Sequence, residues 1–163
     1  MATPAQEISQ FQFEVLLLEQ LVLQERETLR TLQEEEERVV RIQFAVDRQL
    51  LLCNCQSQHI EIGQFQVRVL RRQEQIYQQR GRQGAQRLMR IRRNLYRGEH
   101  RLQRQQGPFE QNLIFLEQLR VAEEQIHHNK LREEQSLANI RLANQQQYRH
   151  IQQLQRDRVA ALR

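Results

Sequence analysis

The feature that most constrains this chain is a spacing. Intervals of four and three residues alternate along Phe11, Val15, Leu18, Val22, Glu25, Leu29, Leu32, Glu36, Val39, Gln43, Val46, Leu50 and Cys53. They resume along Leu116, Leu119, Glu123, Ile126, Lys130, Glu133, Leu137, Ile140, Asn144, Gln147, Ile151 and Leu154. Most of these residues are apolar. An interval averaging three and a half residues keeps one stripe of an α-helix facing a neighbouring helix along its whole length, whereas a half-buried strand alternates every second residue.

Composition agrees with long helices. Only two prolines and five glycines occur in 163 residues, and tryptophan is absent. Leu, Gln, Arg and Glu predominate, all of which lose little side-chain freedom in a helix. The fold class expected is therefore all-α, a single domain over residues 1–163. The clustering and periodicity of the apolar residues separate the chain from a disordered, polar-rich segment that buries too little to offset its entropy.

Where the helices break is read from local signals. A phenylalanine-led opening recurs as SQFQFEVLLLEQ at residues 9–20, GQFQVRVLRRQEQ at 63–75 and GPFEQNLIFLEQL at 107–119. Ser9 is a capping residue, Gly107–Pro108 sets proline where a helix can begin, and Asn54, Ser57 and Gly63 are turn formers. These signals predict an elongated antiparallel three-helix bundle or coiled coil, with helices over 8–54, 60–105 and 108–161. In that arrangement Val15 to Leu23 lies beside Leu113 to Ala122. The alternative is a two-helix coiled-coil hairpin turning at residues 80–84, RGRQG, in which the first seam continues past Cys53 through Ile60 and Val67. Against the hairpin stand the arginines it brings together, Arg68, Arg71 and Arg72 near Arg93 and Arg97, and the apolar faces it leaves uncovered.

Charge is segregated along the chain. Between Arg68 and Arg104 there are twelve arginines against two acids, Glu74 and Glu99, so this stretch carries +10 and the remainder −5 of the overall +5. Arg90, Arg93, Arg97, Arg101 and Arg104 share one helical face, opposite Leu88, Ile91, Leu95 and Leu102. The stripe is the expected partner-binding surface, for an acidic protein face whose affinity falls as salt rises. In a bundle it would be partly neutralised by Glu25, Glu27, Glu117 and Glu123. Nucleic acid is the alternative partner, because guanidinium groups suit phosphate. Tyr77 and Tyr96 alone are too few aromatics for a base-stacking platform, and no established nucleic-acid-binding motif accompanies them. Leftover apolar faces at Phe13, Leu17 and Leu21, or at Ile114 and Phe115, are expected to support a homo-oligomer.

No catalytic or cofactor motif is legible. Cys53 and Cys55 diverge on a helix and, with His59, lack a fourth ligand at zinc-finger spacing, so no metal or cofactor is expected. Glu34 to Glu37 form a helix-face charge run rather than a placed acid–base pair. The chain is expected not to be an enzyme, but a helical adaptor, structural subunit or assembly factor. With no secretory leader and no apolar run long enough for a membrane span, a cytoplasmic, reducing location and no integral membrane insertion are expected.

Overall fold

The first helix begins earlier than Ser9. Thr3 accepts a hydrogen bond at Oγ1 from the Gln6 amide (3.3 Å), and the Gln6 side chain accepts one from the Thr3 amide (3.0 Å). This reciprocal pair satisfies two N–H groups that a helix start leaves open, and Pro4 occupies the first helical position, where no N–H is needed. A computed structural model describes residues 3–162. Its elements are α1 (Pro4–Gln79), a 3-10 turn (Gly81–Gly84) and α2 (Ala85–Ala161). The fold is all-α, with two long helices that pack against each other and no strand among the described residues.

Two helices thus replace the three expected over 8–54, 60–105 and 108–161, and the chain reverses once, at residues 80–84. Gly63, read as a turn former, lies inside α1 and has another use, which Gly98 of α2 shares. A Cβ at Gly63 would stand 2.8 Å from Leu102 Cδ2, and one at Gly98 would stand 3.1 Å from Val67 Cγ2. Both glycines lie where α1 and α2 approach closely, inside the seam rather than at a break. Pro108 lies within α2. It forfeits one backbone hydrogen bond at a cost of about 3 kcal/mol, and its neighbours Gln105, Phe109, Asn112 and Leu116 keep the seam spacing through it.

The turn has its own chemistry. Gly81 adopts φ +64°, a left-handed conformation that side chains with a Cβ resist. Gly84 is buried with its Cα facing Tyr77, whose ring and carbonyl would lie 3.2 and 3.3 Å from an added Cβ. The guanidinium groups of Arg80 and Arg87 stand 4.9 and 5.2 Å from the Tyr77 ring centre, closing the turn over an aromatic face.

Two compact units share these helices. One comprises residues 1–41 with 123–163, the other residues 42–122. In the first, Leu32, Val39, Leu137 and Ile151 are buried. In the second, Val46, Cys53 and Leu116 form a core that Ile42, Leu50, Phe109 and Leu119 extend, with Val67 and Ile91 buried toward the turn. Leu116 therefore packs with Val46 and Cys53, not beside Val15 to Leu23. The acidic run is served locally: Glu35 binds Arg38 at 2.8 Å and Glu37 lies 3.5 Å from Arg41.

The seam departs from the expected one at its ambiguous positions. Glu35 and Gln49 are buried and Ile42 is half-buried, whereas Glu36 and Gln43 are exposed. Both sets lie three or four residues from the same anchors, Leu32, Val39 and Val46. The choice between them belongs to the partner helix. Along α2 every expected seam residue from Leu116 to Leu154 is buried or half-buried.

The two glycines give opposite signs for the two architectures. At Gly81 alanine would be strained by the positive φ, so Gly81→Ala should lower unfolding stability by about 1 kcal/mol. At Gly107, exposed within α2 and with nothing within 4 Å of a new Cβ, alanine should raise it by up to about 1 kcal/mol. Urea titration followed by circular dichroism reads both; a stabilising Gly81→Ala would place that residue inside a helix and refute the turn.

Candidate functional site

The arginine stripe lies on α2 in the unit that contains the turn. Seam residues Leu88, Ile91, Leu95, Gly98 and Leu102 recur at three and four residues and turn toward α1, which carries Arg90, Arg93, Arg97, Arg101 and Arg104 onto the opposite and lateral surface. All five are exposed. None forms an ion pair among the described residues, where Arg71–Glu99 at 2.7 Å and Arg92–Glu74 at 3.7 Å use the only two acids of the basic stretch. Of the arginines expected to meet in a hairpin, Arg71 pairs with Glu99, and Arg68, Arg72, Arg93 and Arg97 are exposed to water. Exposed pairs of this kind contribute roughly 0–1 kcal/mol each, so they orient side chains more than they stabilise the helices.

The neutralisation expected from acidic neighbours does not occur in the form anticipated. Glu25 receives hydrogen bonds from Asn144 (2.6 Å) and Arg141 (3.2 Å) within the other unit, and Glu27, Glu117 and Glu123 have no ion-pair partner among the described residues. The reason is geometric: a stripe opposite its own seam cannot face the helix with which it packs. Arg97 and Arg101 do border a shallow groove along one side of the helix pair, where Phe65, Val69, Leu70 and Gln73 form the α1 wall. An anionic, partly apolar ligand surface could meet guanidinium groups and apolar contacts there together.

Within the seam, polar residues act as register markers. Gln49 Nε2 donates to the Asn112 carbonyl oxygen at 3.0 Å, and Asn112 Nδ2 donates to Gln56 Oε1 at 3.0 Å, so one α2 residue joins two α1 seam residues that lie one heptad apart. In the other unit Gln147 donates to the Glu14 carbonyl oxygen at 3.0 Å and also to its carboxylate. A shift of one heptad would break the side-chain pairs, Asn112 with Gln56 and Gln147 with the Glu14 carboxylate, which gives the polar positions their specifying effect. Glu123, Lys130 and Glu133, also polar seam positions, are half-buried, and Lys130 reaches Glu134 at 3.8 Å along its own helix.

The residues expected to support self-association divide by unit. Phe13 is exposed, with Leu17 and Leu21 half-buried, in one; Ile114 and Phe115 are exposed in the other. The first-seam spacing passes over a larger set of exposed apolar residues on α1 between Phe44 and Ile76. A second count at the same interval, started from Phe44, would have found them. Cys53 is buried and Cys55 exposed, both free thiols, and no helix among the described residues is long and apolar enough to cross a membrane.

Comparison with known protein families, with characterised proteins and with solved structures gave no match.

Because the stripe makes no ion pair, its arginines should be dispensable for folding. Replacing Arg93, Arg97 and Arg104 together by alanine is expected to move the unfolding free energy by no more than about 0.5 kcal/mol per site. Asn112→Ala, by contrast, strands the Gln56 side chain, while Gln49 keeps the carbonyl oxygen of residue 112, and should cost roughly 1–3 kcal/mol. Thermal and urea denaturation of the two variants side by side measures the difference.

Proposed function

We propose that this chain is a non-enzymatic coiled-coil protein that works by binding other proteins, as an adaptor, structural subunit or assembly factor. The observation that supports the reading best is the exposed and internally unpaired stripe Arg90, Arg93, Arg97, Arg101 and Arg104. A dense cationic face that its own fold does not use is suited to steering toward an acidic surface and to fixing orientation on it. Arginine strengthens that assignment, since its planar fork binds carboxylates in pairs and keeps its charge in all cellular conditions.

The second reading is a nucleic-acid-binding helical protein. What favours it is the same stripe, together with local charge of +10 from Arg68 to Arg104. What weighs against it is the scarcity of aromatic platforms: Tyr77 is occupied by Arg80 and Arg87, while Tyr96 stacks on His100, with ring centres 6.1 Å apart. Phosphate binding without stacking would be salt-sensitive and indifferent to sequence.

The full-length chain, and a variant carrying Arg93→Glu, Arg97→Glu and Arg101→Glu, are used as baits in native lysate with and without nuclease, across a salt series. Protein capture that survives nuclease, weakens with salt and falls at least about ten-fold in the variant supports the protein-binding assignment. Capture abolished by nuclease, with tight retention on heparin and on mixed RNA, transfers the stripe to nucleic acid.

A further inference from the structure

The outward side of α1 carries a second seam. Counting from Phe44 at intervals of four and three residues gives Arg48, Leu51, Cys55, Gln58, Ile62, Phe65, Val69, Arg72 and Ile76, all within the unit that contains the turn. The first seam of the same helix runs along Val46, Gln49, Cys53, Gln56, Ile60, Gly63, Val67 and Leu70, on the other side. The apolar members of the second seam are open to solvent: Phe44 is 69 % exposed, Leu51 65 %, Ile62 56 %, Phe65 60 %, Val69 39 % and Ile76 45 %. Exposed apolar side chains are ordinary when scattered. Six on one stripe, with the interval that defines a helix–helix contact, are not.

Both the interval and the charges restrict what can cover this stripe. Its occupant must be another long helix with the same period, because a 3.5-residue seam drifts off any other surface. We propose that the occupant is a second copy of this chain, whose own Phe44–Val69 seam packs antiparallel across a two-fold axis. In that register Leu51 faces Ile62 of the second copy, Phe44 faces Val69, Cys55 faces Gln58, and the Arg48 guanidinium meets the Phe65 ring. Asp47, flanking the seam, comes beside Arg68 of the second copy; both are exposed and neither forms an ion pair among the described residues. Each contact occurs twice by symmetry.

Other self-pairings carry more like-charge contacts than this one, in which Arg72 beyond the Phe44–Val69 overlap comes opposite Arg41 and Asp47 offsets it beside Arg68. In-register parallel packing sets Arg48 on Arg48 and Arg72 on Arg72. Antiparallel packing one heptad further along sets Arg48 against Arg72 and Glu61 against its own copy. Extent is adequate as well: at roughly 100 Å² for each of the five exposed apolar side chains from Phe44 to Val69 the stripe offers on the order of 500 Å² per copy, near the roughly 1,000 Å² that a specific protein interface needs once both copies are counted. Phe65 and Val69 also wall the groove that Arg97 and Arg101 border, so the variants at Phe44 and Leu51, which do not line that groove, are the ones that separate this proposal from the stripe's partner.

Sedimentation equilibrium of the intact chain at micromolar concentration is expected to show a dimer. Ile62→Glu with Phe65→Glu should give a monomer of unchanged helicity, since neither side chain belongs to the internal seam; Phe44→Lys with Leu51→Lys provides an independent pair. Asp47→Arg should weaken the dimer roughly three- to ten-fold, and adding Arg68→Asp should restore it. On oxidation Gln58→Cys should link two copies through Cys55, whereas Gln111→Cys on α2 should not. A monomeric wild-type chain, a dimer indifferent to both double variants, a charge swap that fails to rescue, or cross-links that do not form through position 58 would each overturn the proposal.

Discussion

The rest of the structure depends on how α1 and α2 meet. Along each compact unit, residues three and four apart turn one side of a helix to its antiparallel neighbour, and the side chains there are a mixture: Val46, Cys53 and Leu116 beside Gln49 and Asn112, or Leu137 and Ile151 near Asn144 and Gln147. Apolar members supply the driving force for packing, while the amides fix which residue opposes which. A helix pair has little interior in which to hide either kind. Even the most buried positions keep a few per cent of their surface.

A shallow core has consequences outside it. With only one stripe of each helix covered, the other sides must be soluble or be covered by something else, and the unit that holds the turn divides these roles between its helices. On α2 the outward residues near the turn are arginines; on α1 they are Phe44, Leu51, Ile62, Phe65, Val69 and Ile76. The first composition resists burial and seeks an anion; the second gains free energy by leaving water. A charged side for a partner and an apolar side for self-pairing is a coherent division of labour for a helical protein of the proposed kind.

Glycine and proline show how far local rules extend. The Gly81 turn follows them, since a left-handed position is where glycine belongs. Gly63, Gly98 and Pro108 do not mark breaks. Each resembles punctuation in the sequence, yet the first two make room for Leu102 and Val67, and the third is carried through by the contacts on either side. The missed start of α1 has the opposite cause. Thr3, Pro4 and Gln6 are a complete capping signal, overlooked beside the longer apolar pattern that begins near Ser9.

The chain alone determined its helical character, the α2 seam from Leu116 to Leu154, the cationic face from Arg90 to Arg104 and the absence of a membrane-length apolar run, because each is a property of period or composition within one segment. Tertiary structure decided the number of helices and the division of residues between core and surface. Whether Gln43 or Ile42, Glu36 or Glu35 turns inward depends on a neighbouring helix that the local spacing does not specify. Whether Gly63 ends a helix or lets two helices touch depends on Leu102, distant in sequence and close in space. Periodicity is a local quantity; pairing is a relation between distant segments, and only their packing selects among the partners that one pattern allows.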